Sequence, residues 1–311
     1  MQTPRLQEEG IILILAASVM LAGCTPEKYS GGTGGRYDPY QIATVDDLLA
    51  MTAQTNDYGA HFVLTADIDL NPNLPGRVVF TSSIIARDIN NSGSDFDGVA
   101  FSGVFDGAGH KITNLTINAY GSGSDYLGLF GYIAGGKVKN LVLENVRIRG
   151  GAGSFYIGGL AGCSNRGKIT KCTSTGTVAS GKNSDSIGGL VGDNFYGSII
   201  DSASMCDVLS GSYSSNLGGL VGGNIGIINK CRSAGNVTGG NTSMWLGGLA
   251  GSNSGAIRDC SSTGTVTGGA YSYNLGGLVG DSSNGTVINC HSTTIVEAKI
   301  ADIRCLIVAR K

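Results

Sequence analysis

The chain has 311 residues, of which 21 are Lys or Arg and 23 are Asp or Glu, so its formal net charge is −2. Charged residues make up only 14% of the sequence and no cluster of Lys or Arg stands out along it, which argues against binding of nucleic acid or another polyanion. A collagen-like fibre is excluded as well, because the 52 glycines have no three-residue period and there are only five prolines.

Residues 1–23 resemble a lipoprotein signal peptide. Arg5 supplies a positive charge, and the apolar stretch from Ile11 to Leu21 is too short to cross a bilayer as a helix. The motif Leu21-Ala22-Gly23-Cys24 resembles a bacterial lipobox, which is cut before a cysteine that becomes lipidated. We therefore expect a membrane anchor at Cys24 and a location in the bacterial cell envelope, either surface-exposed or facing the periplasm. The alternative is an ordinary secretory signal in which the cysteine occurs by chance.

Residues 24–37 are rich in Gly, Ser and Thr and predict a flexible tether. The segment from Thr44 to Met51 has a capping threonine, acids in its first turn and an apolar face, so it predicts one short helix. A helix in this position would cover the open apolar end of a repeat array. Residues 38–126 are accordingly predicted to form an N-terminal cap and the first coils, including a well-formed coil at Phe101 to Ile117.

Residues 127–296 contain a signature of Gly-Leu, one apolar residue and Gly that occurs six times. Its leucines are 29 to 31 residues apart: Leu129, Leu160, Leu190, Leu220, Leu249 and Leu278. Apolar positions such as Ile169 and Val178 recur with the same period, separated by Gly, Ser, Thr and Asn. This pattern predicts three short strands per coil, and hence an all-β, three-sided, right-handed parallel β-helix with about 30 residues per coil. Residues 297–311 lack turn glycines and predict either a terminal cap or the truncated end of a longer array.

These units resemble GLUG repeats, which occur in bacterial surface and secreted proteins, including adhesin-like and IgA-peptidase-related proteins. The segments Tyr40-Gln41-Ile42, Phe101 to Gly107 and His110 to Leu115 also resemble the segments that precede such repeats. The resemblance implies a β-helix at the cell surface. It implies no particular activity, because the repeat is a scaffold that proteins of several functions share.

Cysteine recurs at one position of the repeat that other coils fill with Leu141 or Ser202. Its four occurrences are Cys172, Cys231, Cys260 and Cys290. Replacement by leucine indicates an inward apolar position, so we expect buried free thiols, with a metal site of stacked thiols as the alternative. The remaining cysteines of the predicted mature chain, Cys163, Cys206 and Cys305, have no assigned partner.

Catalytic motifs are not evident. The histidines are His61, His110 and His291, and since none is followed by Glu there is no metalloprotease motif. No serine-nucleophile elbow is accompanied by a plausible Asp and His pair, and there is no phosphate-binding loop. Asp106 and His110 form the best candidate polar pair, with local turn hydrogen bonds as the alternative. The loop before Phe101 contains four residues whose oxygen atoms could bind Ca²⁺: Asp88, Asn90, Asp95 and Asp97. The alternative is a solvated acidic loop without a metal ion. We therefore predict no enzyme activity, no catalytic residue, no cofactor and no metal site.

Aromatic residues precede most of the Gly-Leu strands. We call the following six residues the aromatic edge: Phe155, Tyr156, Tyr213, Trp245, Tyr271 and Tyr273. Stacked coils would align these rings about 4.8 Å apart per coil, where a glycan or another extended ligand could stack on them. The alternative is that each ring shields the edge of the core. The predicted function is an adhesion or binding module for an extracellular glycan or a host or matrix protein. A polysaccharide lyase or hydrolase and a structural spacer are the alternatives.

Overall fold

The computed structural model describes residues 28–90, 95–121 and 124–299. In this part the chain forms one α-helix, Val45–Ala53, one 3-10 helix, Thr55–Asp57, and 32 β-strands. No helix among the described residues combines the length and hydropathy that crossing a bilayer requires. The predicted signal peptide, the predicted lipidation site Cys24 and residues 300–311 lie outside the described residues.

The strands belong to four sheets, which we number in the order in which each complete coil passes through them. Sheet 1 consists of Phe155–Gly158, Asp185–Gly188, Ser215–Gly218, Met244–Gly247 and Tyr273–Gly276. Sheet 2 consists of Phe130–Ala134, Ala161–Asn165, Val191–Phe195, Val221–Asn224, Ala250–Asn253 and Val279–Asp281. Sheet 3 consists of Tyr40–Ile42, His61–Leu64, Val104–Asp106, Lys137–Lys139, Lys168–Thr170, Ser198–Ile200, Ile227–Asn229, Ala256–Arg258 and Thr286–Ile288. Sheet 4 consists of Ile68–Asp69, Lys111–Thr113, Thr116–Asn118, Val142–Arg149, Thr173–Ala179, Ala203–Leu209, Arg232–Ser233, Val237–Gly239, Ser261–Ser262, Thr265–Gly268, His291–Ser292 and Ile295–Ala298.

All strand pairs are parallel and join one coil to the next. Lys168–Thr170, for example, pairs with Lys137–Lys139 of the preceding coil and with Ser198–Ile200 of the following coil. The predicted parallel β-helix is therefore confirmed. Each full coil passes through four sheets where the sequence pattern predicted three strands, because the Gly-Leu pair is itself a corner that separates a strand of sheet 1 from a strand of sheet 2.

The inward positions of the coils form one continuous apolar core. Along sheet 3 the register stacks Val138, Ile169, Ile199 and Ile228, and each of these side chains is 0% exposed. The leucines of the repeated signature are buried in the same cluster. Complete burial of one such side chain stabilises the fold by about 2 kcal/mol, and only stacked coils can achieve it.

Close backbone approaches explain glycines in the signature and directly before it. A Cβ added to Gly188 would lie 2.0 Å from the carbonyl oxygen of Val191, within the corner itself. A Cβ added to Gly192 would lie 2.6 Å from the backbone nitrogen of Ile157 and 2.7 Å from the carbonyl carbon of Tyr156. Sheet 2 of one coil therefore packs directly against the sheet 1 backbone of the preceding coil, which brings the outer residues of these two sheets together.

The predicted helix is confirmed with its cap. The Thr44 side chain accepts a hydrogen bond from the backbone N–H of Asp47 at 3.1 Å, and the Asp47 carboxylate accepts one from the backbone N–H of Thr44 at 2.9 Å. This capping box satisfies two donors that the first turn leaves free. Leu48 and Met51 are completely buried, so the helix contributes its apolar face to the core.

The described part of the predicted flexible tether, residues 28–37, is instead packed against the cap. The Tyr29 side chain is only 4% exposed, and its ring centroid lies 4.7 Å from that of Tyr40 and 5.7 Å from that of Phe62. Lys28 forms a salt bridge of 2.6 Å with Asp57. The composition of this segment suggested flexibility, but burial of one tyrosine ring holds it on the cap.

The C-terminal strand Ile295–Ala298 pairs in parallel with Thr265–Gly268. The start of the predicted segment 297–311 is therefore strand-like, and the remainder lies outside the described residues.

The cysteine column points inward as predicted. Cys172, Cys231 and Cys260 are at most 3% exposed, and none of the six described cysteines is in a disulfide. The Cys260 sulfur accepts the backbone N–H of Cys231 at 3.3 Å, and burial raises the pKa of Cys172 to about 12. The Cys172 thiol therefore remains protonated, and the three buried thiols pack as small apolar groups.

Buried asparagines form a second repeated feature at the end of sheet 2. Nδ2 of Asn194 donates to Oδ1 of Asn224 at 2.8 Å, and Nδ2 of Asn224 donates to Oδ1 of Asn253 at 2.7 Å. The three side chains are at most 2% exposed. We call this the asparagine ladder, and it links three consecutive coils through buried polar contacts.

Candidate functional site

The aromatic edge lies where each coil enters sheet 1, but its rings occupy three neighbouring columns and not one row. Tyr213 and Tyr271 each lie two residues before a strand of sheet 1. Phe155 and Tyr273 share the first strand position. Tyr156 and Trp245 share the second.

Within one column, the six rings of the aromatic edge do not follow one another in successive coils, because the intervening coils carry polar residues such as Asn183, Asn216 and Thr242 at equivalent positions. Among the described residues, Phe155 and Tyr156 are the one pair of the aromatic edge in ring contact, with centroids 6.1 Å apart. The prediction of a continuous row is therefore corrected to separate rings along one edge of the β-helix.

Exposure differs among these residues. Tyr213 is 64% exposed, Tyr271 is 71% exposed and Tyr273 is 37% exposed, whereas Trp245 and Tyr156 are half-buried. The two most exposed rings, Tyr213 and Tyr271, therefore lie at the turn before sheet 1, and the less exposed rings lie on the sheet itself.

Four of the aromatic residues have a left-handed backbone conformation. Their φ angles are 59° at Tyr156, 62° at Tyr213, 58° at Trp245 and 61° at Tyr271. This conformation costs a non-glycine residue about 1–2 kcal/mol, and glycine and asparagine tolerate it best. The array itself places tolerant residues at the equivalent positions of other coils: Gly153, Asn183, Asn216 and Asn274. Bulky rings at these positions are thus not required by the fold.

A tight aromatic cluster, which the sequence analysis missed, lies at the N-terminal end of the same edge. The rings of Phe96 and Tyr132 are stacked with centroids 4.6 Å apart, and Tyr126 lies 5.5 Å from Tyr132 and 4.9 Å from Tyr156. The Tyr132 hydroxyl accepts a hydrogen bond from Nδ2 of Asn165 at 2.8 Å. Tyr126 lies two residues before its Gly-Leu pair, close to the three-residue offset of Tyr156, so the sequence offered a signal for it. Phe96 comes from an irregular segment whose position no repeat could indicate.

Asp193 and Asp185 lie beside this cluster, on sheets 2 and 1. The Asp193 carboxylate occupies space left by Gly223 of the next coil, where an added Cβ would be 3.0 Å from Oδ1. Within the described part of the chain this buried oxygen has no hydrogen-bond partner. By contrast, the Asp185 carboxylate accepts hydrogen bonds from Ser186 at 2.6 Å and from Asn216 at 3.1 Å.

Burial, followed by the nearby Asp185 charge, raises the pKa of Asp193 to about 7. Burial, followed by the Asp193 charge, raises the pKa of Tyr156 to about 12. The outer surface of the corner between sheets 1 and 2 therefore combines aromatic rings with one firmly bonded carboxylate and one that is protonated up to neutral pH.

Replacement of Asp193 by asparagine is expected to stabilise the protein above pH 7. Between its ordinary pKa of 3.8 and its folded pKa of about 7, the native state holds a proton that the unfolded state has lost, so the wild type loses stability as pH rises through this window. The gain for Asp193→Asn should be about 4 kcal/mol at pH 8 and should fall below about 1 kcal/mol near pH 4. Urea unfolding at several pH values between 4 and 8 measures this difference in stability. Asp95→Asn is the control, because Asp95 is exposed. An equal gain for Asp193→Asn at pH 4 and pH 8 would contradict the assignment.

Asp106 and His110 do not form a shared site. The Asp106 carboxylate forms a salt bridge with Lys139 at 2.8 Å and accepts the backbone N–H of Ala108 at 2.9 Å. His110 instead lies 3.2 Å from Asp67. The local-turn alternative therefore describes Asp106 correctly, whereas the partner of His110 comes from a preceding coil.

The acidic loop before Phe101 is bonded to itself. Asp97 accepts the backbone N–H of Ile89 at 2.8 Å, and its own N–H donates to Asp88 at 3.0 Å. The other two proposed ligands are Asn90, which also donates to Asp97, and the exposed Asp95. Within residues 28–90, 95–121 and 124–299, no three His, Cys, Asp or Glu side chains are grouped to hold a metal ion.

Two segments, residues 153–179 and 245–267, match the family described as the GLUG motif. The chain carries the GLUG motif. The first GLUG segment begins at the turn before Phe155 and ends at Ala179, so it corresponds to one complete coil from sheet 1 through sheet 4. The matched segments therefore contain the corner between sheets 1 and 2 and three residues of the aromatic edge, Phe155, Tyr156 and Trp245.

Halomucin from Haloquadratum walsbyi is 38% identical to this chain over 152 residues, which are 47% of the chain. The match spans only 2% of the length of Halomucin. The crystal structure of a candidate immunoglobulin A1 protease from Bacteroides ovatus superimposes with a TM-score of 0.62, covering 88% of this chain and 83% of that one. At 20% identity this second similarity supports the β-helix fold alone.

Proposed function

We propose that this chain is a cell-surface binding module that holds extracellular glycans along the aromatic edge. The observation that carries the proposal is the left-handed backbone of Tyr213, Trp245 and Tyr271. Each ring is held at a backbone position that disfavours bulky residues, while in other coils the same columns carry smaller residues: Gly153, Asn183, Thr242, Ser186, Asn216 and Asn274. Tyr213 and Tyr271 are exposed and Trp245 is half-buried, and backbone strain retained where the core does not require it is typical of a residue kept for function.

The arrangement suits a sugar chain. Tyr213 and Tyr271 lie two coils apart on one column, about 10 Å along the axis. Their faces are open, and sugar rings stack on exposed aromatic faces through their C–H groups. Asn183, Thr242 and Ser215 lie between or beside the rings and offer hydrogen bonds to hydroxyl groups.

A surface location is part of the same proposal. It is supported by the predicted lipidation at Cys24, by the polar outer face of the solenoid, and by the similarity of nearly half of the chain to Halomucin. Adhesion to a host or matrix protein would use the same edge through its bound or attached glycans. A spacer without ligands is the alternative that the following experiment separates from this one.

Simultaneous replacement of Tyr213, Trp245 and Tyr271 by asparagine is expected to abolish glycan binding and to leave the fold intact. Asparagine is the residue that the array already uses in these columns, so circular dichroism and the urea midpoint should be unchanged or slightly improved. Binding of the full-length chain and of this variant would be compared on a glycan array. The matched control is Tyr37→Asn, because Tyr37 is 93% exposed and lies far from this edge in sequence, on the N-terminal cap.

Binding that is lost in the triple variant and kept in the control supports the aromatic edge as the glycan site. Equal binding by all three proteins contradicts that site. No binding by the wild type contradicts the glycan proposal and favours a spacer.

Glycoside hydrolysis is a second candidate function, and one observation favours it. Asp193 remains protonated up to about neutral pH while Asp185, nearby, is hydrogen-bonded to Ser186 and Asn216. Two carboxyl groups with such different environments are the arrangement that glycosidases use as acid and base or nucleophile. Any glycan that the array identifies should therefore be incubated with the protein. New reducing ends that Asp193→Asn abolishes would establish hydrolysis, and their absence would leave binding as the function.

A further inference from the structure

Positive charge is concentrated in two coils of the solenoid. Residues 137–182 contain eight Lys and Arg residues against one acid, Glu144, a formal charge of +7 in a chain whose net charge is −2. Acids outnumber bases on both sides, by 11 to 5 in residues 28–136 and by 7 to 4 in residues 183–299. The eight residues are Lys137, Lys139, Arg147, Arg149, Arg166, Lys168, Lys171 and Lys182. The expectation that Lys and Arg are not clustered is therefore wrong, because coils bring together residues that lie 30 positions apart.

The outer face of sheet 3 concentrates this charge further. Parallel pairing places Lys168 directly beside Lys137, in the column that begins with His61. Lys139 lies on the same strand as Lys137, and Arg36 approaches from the cap. These five residues, which we call the basic face, line a surface cavity of about 690 Å³ together with Val104 and Thr170.

Most of this charge is not neutralised by the protein. Lys139 forms a salt bridge with Asp106 at 2.8 Å. Lys137 and Lys168 are exposed and form no salt bridge within the described part of the chain. Two neighbouring ammonium groups about one coil apart repel each other, so the face gains free energy from any anion that bridges them.

The shape and the lining of the cavity indicate the kind of anion. It lies along the axis on the outer face of sheet 3, where Lys137 and Lys168 are one coil apart, and this spacing of about 4.8 Å is on the scale of one sugar residue in an extended polysaccharide. Lysines act as flexible point charges and accept carboxylates and sulfates without a fixed geometry. No Phe, Tyr or Trp is among the lining residues, so the cavity lacks the rings on which proteins stack the bases of single-stranded nucleic acids.

We propose that the basic face binds an acidic polysaccharide, with its carboxylate or sulfate groups on Lys137 and Lys168 and its chain running across successive coils. This site lies on a different sheet from the aromatic edge and does not depend on the function proposed there. One solenoid then presents two separate surfaces, one for uncharged sugar rings and one for charged groups.

The test uses the full-length chain with polygalacturonate and heparin as probes and dextran as the uncharged control. Lys137→Gln combined with Lys168→Gln should weaken binding of both acidic probes about tenfold and reduce the salt dependence of the affinity. The matched control is Lys230→Gln combined with Arg258→Gln, which removes two exposed charges two to three coils further along the chain. That variant should change the affinity less than twofold.

Failure of the wild type to bind either acidic probe overturns the proposal, and so does an equal loss in both double variants, which would indicate general charge attraction. Equally tight binding of single-stranded DNA, lost in the same variant, would overturn the assignment to polysaccharide. The aromatic-edge triple variant separates the two functions, since it should keep full affinity for the acidic probes. The lysine double variant should keep any binding of uncharged glycans.

Discussion

Replacing Gly218 by alanine is expected to destabilise the protein by roughly 3 kcal/mol or more. A Cβ at this position would lie 1.9 Å from the carbonyl oxygen of Val221, 2.7 Å from the backbone nitrogen of Gly251 and 2.8 Å from Cα of Ala250. All three contacts are with backbone, so no side-chain rotation can relieve them. The corner between sheets 1 and 2 would have to open in two coils at once. Urea unfolding monitored by circular dichroism measures the effect.

Gly59→Ala is the matched control for this substitution. A Cβ added there would meet nothing closer than Oγ of Ser102 at 3.7 Å, and the residue has no left-handed φ. Its unfolding midpoint should remain at or slightly above that of the wild type, because alanine restricts the unfolded chain more than glycine does. If Gly218→Ala behaved like this control, the corner would not be closed as described.

Replacing Asn224 by leucine should cost about 3 kcal/mol, because it interrupts the asparagine ladder at its middle position. The substitution removes the acceptor of Asn194 and the donor to Asn253. It also removes the acceptor for the backbone N–H of Gly226. All of these groups are buried, so water cannot replace the lost bonds without opening the coil.

An exposed asparagine with similar contacts provides the comparison. Asn236 donates to Asp207 at 3.1 Å and accepts the backbone N–H of Thr265 at 3.1 Å, but it is solvent-exposed. Asn236→Leu should therefore cost less than about 1 kcal/mol, because water satisfies the groups that it leaves. Equal costs for Asn224 and Asn236 would show that burial of the ladder contributes nothing to stability.

The repeat period was sufficient to predict the coil, its stacking and its inward column. Cys172, Cys231 and Cys260 were placed correctly because their column accepts Leu141 in another coil, and a position that accepts leucine faces the core. Thr44 and Asp47 likewise identified the capping helix. The number of strands per coil was harder to predict, because in sequence the Gly-Leu pair looks like part of one strand. The structure shows a corner there, where a Cβ added to Gly188 would clash with the backbone of Val191.

Contacts across coils were beyond prediction from local patterns. Phe96 stacks on Tyr132 from a segment without periodicity, and one carboxylate oxygen of Asp193 is buried in the space that Gly223 of the next coil leaves. Tyr29 lies in a glycine-rich segment whose composition predicts flexibility, yet its ring packs on Tyr40 and Phe62 of the cap. The proximity of Lys137 and Lys168 follows only from the register of sheet 3.

Stacking of parallel coils also determines how the molecule would respond to mechanical load. A coil of about 30 residues advances the axis by only about 4.8 Å, yet the same residues pulled straight would span roughly 100 Å. Each coil contacts only its neighbours, so tension between the chain ends would peel coils away one at a time from the ends of the stack. The array is thus a reservoir of length that can extend about twentyfold per coil, while the remaining coils keep their binding surfaces intact.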